Sequence, residues 1–95
     1  MTAVPFFLAG LPVVAYAFVD PHHGPAGGAA EFMRGERFVP AALAICRDSE
    51  GGGYLLFGCD AEWNTVTDTW HESVEDARHQ GEHEYPGIGE GWIRG

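Results

Sequence analysis

The sequence predicts an α+β fold: a three- or four-stranded antiparallel sheet with one C-terminal amphipathic helix packed on one face. Three observations predict it. Two short apolar runs flank a glycine-rich turn, and a threonine-rich run with period-two alternation follows them. An S-x-x-D pattern then opens a segment whose small and apolar residues recur at helical spacing.

Met1 to Val19 is apolar and fits three readings. It contains Ala15-Tyr16-Ala17, the A-x-A pattern of a leader cleavage site, but no Lys or Arg precedes the apolar run, and Pro5 and Pro12 interrupt it. Val13 to Val19 also reads as a core strand, rich in β-branched and aromatic residues. In the third reading residues 1–32 are an upstream extension and Met33 begins the compact unit. Pro21 to Ala30 is a Gly/Pro/Ala linker, so the chain divides into an apolar segment plus linker, 1–32, and a hairpin-helix domain, 33–95.

From Phe38 the elements are sharper. Pro40 marks a strand entrance and Ala41 to Arg47 is a short apolar run. Asp48 to Gly53 is turn chemistry, and Tyr54 to Cys59 is the second apolar run. A turn centred near Gly51 and Gly52 places Cys46 opposite Leu56 and Cys59 opposite Leu43, an offset too long for a disulfide. Asp60 to Asn64 makes the next turn. Thr65 to Trp70 then alternates, with Val66, Asp68 and Trp70 on one face and Thr65, Thr67 and Thr69 on a face that reads as solvated. Ser73 caps a helix over which Val74, Ala77, Gly81 and Tyr85 form one stripe, until Pro86-Gly87 ends it. His79, Glu82 and His83 fall on the opposite, acidic side.

Charge bounds the function. Fourteen acidic residues stand against five arginines and no lysine, a net charge of -9. Such a chain repels phosphate backbones, which argues against nucleic-acid binding and favours a basic protein partner. The broken N-terminal run is short for a membrane span. The location expected is cytoplasmic, or exported if residues 1–17 act as a leader.

Candidate chemistry is sparse. His79-Gln-Gly-Glu-His83 matches the H-x-x-E-H pattern of zinc peptidases, with Asp76 as a third possible ligand. The helical phase puts both imidazoles on the acidic face, away from the core, and Gly81 weakens the helix that must hold them. A metal-binding protein or small metalloenzyme using His79 and His83 is the alternative to a non-catalytic domain. His22-His23 offers too few ligands for a structural site. Cys59 with His71 and Asp60 or Asp68 sketches a nucleophilic site, but an acidic chain disfavours the thiolate. Gly51-Gly52-Gly53 lacks the spacing of a dinucleotide loop and the Lys of a phosphate loop, so no cofactor is implied.

The run from Tyr54 to Gln80, with Cys59-Asp60, Asp68-Thr-Trp-His71 and a following helix, resembles a group of small bacterial proteins to which no activity is assigned. More loosely, Asp68-Thr69 and Ser73-Val-Glu-Asp-Ala77 resemble HicB-type antitoxin domains, which implies a small sheet and helix that bind a partner toxin. The DNA-binding extension often attached to such antitoxins has no counterpart in this sequence. The function expected is therefore non-catalytic protein binding, antitoxin- or immunity-like, through Trp63, Glu72, Glu75, Asp76 and Trp92. A homodimer paired through an open sheet edge is a further possibility.

Overall fold

The computed structural model describes residues 3–19, 31–33, 36–38, 40–48, 51–88 and 91–94. The expected linker at 21–30, with His22 and His23, lies outside the described residues.

The chain runs β1 (Phe7–Leu8), β2 (Leu11–Phe18), β3 (Glu31–Met33), β4 (Glu36–Phe38), β5 (Ala42–Arg47), β6 (Tyr54–Cys59), β7 (Thr65–His71), α1 (Val74–Glu84) and β8 (Ile93–Arg94). The main sheet is antiparallel in the order β1-β2-β5-β6-β7, and β8 pairs with β2 alongside β1. β3 and β4 form a separate two-stranded hairpin. The fold is α+β as expected, but its sheet has six strands rather than three or four.

Beyond β5, β6 and β7, the N-terminal segment supplies β1 and β2, and β8 comes from Ile93–Arg94. The reason lies in β5. Ala42 to Cys46 are five consecutive buried residues with no polar alternation, so this strand needs partners on both edges and cover on both faces. The hairpin with β6 supplies one edge; β2 supplies the other, pairing Tyr16 with Ala44 and Ala17 with Leu43. β1 and β2, from the segment expected to stand apart, thus share one sheet with β5, β6 and β7.

The hairpin register differs by one residue from the sequence expectation. Cys46 pairs with Leu55 and Cys59 with Ala42. The loop closes as the Asp48 amide donates to the Gly53 carbonyl at 3.1 Å, with Gly52 and Gly53 at positive φ, so its centre precedes Gly51. A one-residue slip exchanges the two faces of a strand. Here it settles that Cys46, Leu55 and Phe57 share the face away from the helix, while Ile45 and Leu56 lie beneath it.

Each face carries its own core. Away from the helix, Val13, Ala44, Cys46, Phe57 and Cys59 pack with Leu8 and the indole of Trp63. On the helix side, Leu43, Ile45 and Leu56 meet Ala77, Tyr85 and Ile88. The helix stripe is as expected: Ala77, Gly81 and Tyr85 are buried, Val74 packs on the same cluster, and Ile88 folds back fully buried. Full burial of a side chain the size of Ile88 contributes about 1.5–3 kcal/mol. The cap is also as expected, with the Asp76 amide donating to the Ser73 hydroxyl at 3.0 Å.

On the β7 face expected to be solvated, Thr65 and Thr69 are exposed and Thr67 half-buried, while His71 at its end is buried against the start of the helix. A bulge between Gly58 and Cys59 shifts β7 against β6, and the strand then runs directly into the helix through His71. Among the described residues no helix is long and apolar enough to cross a membrane.

Candidate functional site

Two places concentrate chemistry, one on each face of the sheet. The first is a groove of about 520 Å³ on the face away from the helix. Its floor is apolar: Leu11, Leu55 and Phe57, with the Ala9-Gly10 turn at one end. Asp48 and Asp68 also line it. Asp68 faces the groove because it pairs with Phe57 across the strands, and the next pair along the same face is Leu55 with Trp70. Trp70 is 52% exposed. Its indole is nevertheless fixed, since Nε1 donates to the Gly52 carbonyl at 3.1 Å and the ring lies over Gly53, where a Cβ would come within 2.5 Å of Cζ2.

The second place is the junction of β7 with α1. His71 is 8% exposed, with Nδ1 2.8 Å from Asp76 Oδ2 and Nε2 2.7 Å from Thr69 Oγ1. In the neutral tautomer that donates from Nδ1 to the Asp76 carboxylate, Nε2 accepts the Thr69 hydroxyl. Thr69 also lines a cleft of about 170 Å³ whose floor is Leu43, Leu56 and Gly58.

No family model, curated protein or solved structure matches the chain. Its chemistry is therefore read from its own side chains.

The expected partner-binding residues divide. Glu72, Glu75 and Asp76 are exposed at the start of the helix. Trp63 is a core residue, 5% exposed, with its ring edge-on to Tyr16 and Phe18 at centroid distances of 6.1 and 6.0 Å. The Asp60 carboxylate holds its turn by accepting from the amides of Glu62 and Asn64, both at 2.9 Å, and this turn carries Trp63 inward at φ 65. A turn position does not keep an indole in solvent when the sheet curls to meet it. Trp92 is half-buried; its ring packs over Gly81, and its Nε1 is buried without a partner among the described residues. Trp70, not Trp63, is the exposed indole. The alternation that places it beside Asp68 is visible in the sequence, whereas its anchorage on Gly53 is not.

His79 and His83 are both exposed on the outer face of the helix, and Asp76 is committed to His71. Among the described residues no three His, Cys, Asp or Glu side chains gather to hold a metal ion. The two thiols are free and buried, and burial pushes both up to about 12. A nucleophilic Cys59 paired with His71 does not form, since His71 is held by Asp76 and Thr69.

Proposed function

We propose that this is a protein-binding domain that seats a basic, partly apolar segment of a partner protein in the groove between Asp48 and Asp68. The observation that carries the reading is the half-exposed Trp70, fixed beside an apolar floor of Leu55, Phe57 and Leu11 and the carboxylate of Asp68. Aromatic anchors over apolar pockets supply the held contact in interfaces, and a rigid one costs little side-chain entropy on binding. Charge sets the sign of the partner. A net charge of -9, with Glu72, Glu75 and Asp76 exposed, steers cationic surfaces toward the molecule and repels acidic ones. Neutralising a basic protein, as an antitoxin or immunity-like protein does, is the biological role consistent with these features.

A blocked pentapeptide alternating arginine and leucine is a direct probe, because an extended chain of that pattern offers cations to one side and apolar side chains to the other. Titration monitored by tryptophan emission is expected to saturate, and to weaken by at least about tenfold between 0.05 and 0.5 M salt as screening grows. Absence of saturation at low salt, or binding that persists unchanged in Trp70→Ala, contradicts the proposal.

A further inference from the structure

We propose that Thr69, His71 and Asp76 form a nucleophilic site for transfer of a short acyl group to water, served by the cleft over β7. The cleft lies on the helix side of the sheet and the groove on the other, with Asp68 of β7 common to both linings.

The geometry joins a hydroxyl, an imidazole and a carboxylate in one chain of contacts. Asp76 Oδ2 lies 2.8 Å from His71 Nδ1, and His71 Nε2 lies 2.7 Å from Thr69 Oγ1. The order carboxylate, imidazole, hydroxyl is the arrangement in which a neutral imidazole accepts the hydroxyl proton while the carboxylate fixes its tautomer. Secondary structure holds all three groups. Thr69 and His71 are two apart on β7 and so point to the same face, and Asp76 lies in the first turn of α1, set by the Ser73 cap. Thr69 is exposed, His71 is buried, and Asp76 keeps 58% of its side chain in solvent.

Beside Thr69 the cleft of about 170 Å³ has an apolar floor of Leu43, Leu56 and Gly58. A Cβ on Gly58 would collide with the Thr67 hydroxyl, so glycine keeps this floor open and leaves Thr67 as a hydroxyl donor on the lining. Glu84 also lines the cleft, which disfavours phosphorylated or carboxylated substrates. The volume accommodates an acyl chain of a few carbons, so the substrate class is a short-chain ester with a neutral or cationic remainder.

Thr69 Oγ1 attacks the ester carbonyl as its proton passes to His71 Nε2. The tetrahedral species then breaks its bond to the leaving oxygen, which takes that proton and departs as the alcohol. Water, deprotonated in turn by Nε2, attacks the Thr69 ester, releases the carboxylic acid and restores the hydroxyl. Ester and water become acid and alcohol with no redox change. In these steps Thr69 and His71 are catalytic residues and Asp76 is a positioning residue.

The test uses p-nitrophenyl acetate with the full chain, because exposed imidazoles such as His79 and His83 hydrolyse this ester unaided and rate alone does not discriminate. Quenched reactions are digested and the Thr69 peptide is examined by mass for an acetyl adduct. The adduct is expected in the native protein and in the His79→Ala/His83→Ala variant, and is lost in Thr69→Val, which keeps the shape of threonine. Thr69→Ser restores acylation, and Asp76→Asn, which removes the acceptor that fixes the His71 tautomer, slows it by at least about 100-fold. No acetyl on Thr69 in the folded native protein, or identical hydrolysis when Thr69→Val is added to the His79→Ala/His83→Ala variant, overturns the proposal.

Discussion

Three consecutive glycines in the β5–β6 loop predict three different responses to the same substitution. A Cβ on Gly53 would lie 2.5 Å from Trp70 Cζ2 and 2.7 Å from the His71 carbonyl oxygen, at a φ of +80. Ordinary contacts of this kind are about 3.5–4.0 Å. The carbonyl belongs to the neighbouring strand and cannot step aside alone, so either the strands separate locally or the indole leaves its place. The left-handed backbone costs a residue with a Cβ about 1–2 kcal/mol, and overpacking of this kind adds about 1–3 kcal/mol. Gly53→Ala is therefore expected to lose about 2–5 kcal/mol, a large share of the roughly 5–15 kcal/mol available to a small domain. Gly52 has φ +73 but open space around its Cβ position, so Gly52→Ala carries the backbone cost alone, about 1–2 kcal/mol. A Cβ on Gly51 meets only Asp48 Oδ2 at 3.5 Å, an ordinary contact, and Gly51→Ala is expected to be neutral or slightly stabilising. Urea unfolding followed by far-ultraviolet circular dichroism measures all three, and Gly53→Ala/Trp70→Ala recovers the part due to the ring. A Gly53→Ala variant no less stable than Gly52→Ala would refute the reasoning.

Alkaline pH should act on the two buried thiols. Their folded values rise from 9.0 to about 12, so their contribution is intact below 9. It falls as pH climbs toward 12, because the unfolded chain ionises first. The slope approaches about 1.4 kcal/mol per pH unit for each thiol, and denaturant titrations at pH 8 and 10 should show it shrink in Cys46→Ala/Cys59→Ala. At acid pH the opposite sign applies to Asp60, whose carboxyl is lowered first by the side-chain hydrogen bond from Asn64. Its support is present above the unfolded value of about 3.9 and is lost as pH falls through the lower folded value. Asp60→Asn should therefore flatten the stability profile between pH 5 and 2. In the core, Trp63→Ala should cost about 3–5 kcal/mol by thermal or urea unfolding. Trp63→Gly should be no worse despite glycine's usual penalty, because φ 65 at this position suits it.

Local signals carried far into the structure and stopped where long-range pairing began. Ser73, the stripe Val74, Ala77, Gly81 and Tyr85, and the break at Pro86-Gly87 were readable because capping and helical phase depend on neighbours in sequence. The exposure of His79 and His83 followed from the same phase. The place of β2 beside β5 was less legible, since a strand's partner is set by three-dimensional closure rather than by its own residues. The unbroken burial of Ala42 to Cys46 was the available clue. The hairpin register missed by one because three adjacent glycines leave the turn centre undetermined; the Gly53–Trp70 contact that fixes it joins residues far apart in sequence. The same limit hid the His71 network. Thr69, His71 and Asp76 are close in sequence, but only the turn between β7 and α1 brings the carboxylate back onto the imidazole. Trp63 was misplaced for a physical reason of its own, since its left-handed backbone turns the ring inward.

Charge reversal at Asp68 tests the docking groove most directly, read by isothermal titration with two peptides. One is the blocked arginine-leucine pentapeptide; the other carries glutamate in place of arginine. Asp68 is exposed on the groove wall, so Asp68→Arg is expected to fold normally, lose affinity for the basic peptide by at least about tenfold, and gain affinity for the acidic one. Glu72→Arg and Glu75→Arg change net charge equally but lie at the start of the helix, and are expected to shift affinity only modestly. Equal losses in all three variants would mean that net charge alone governs binding, and would contradict a built docking site at Asp68 and Trp70.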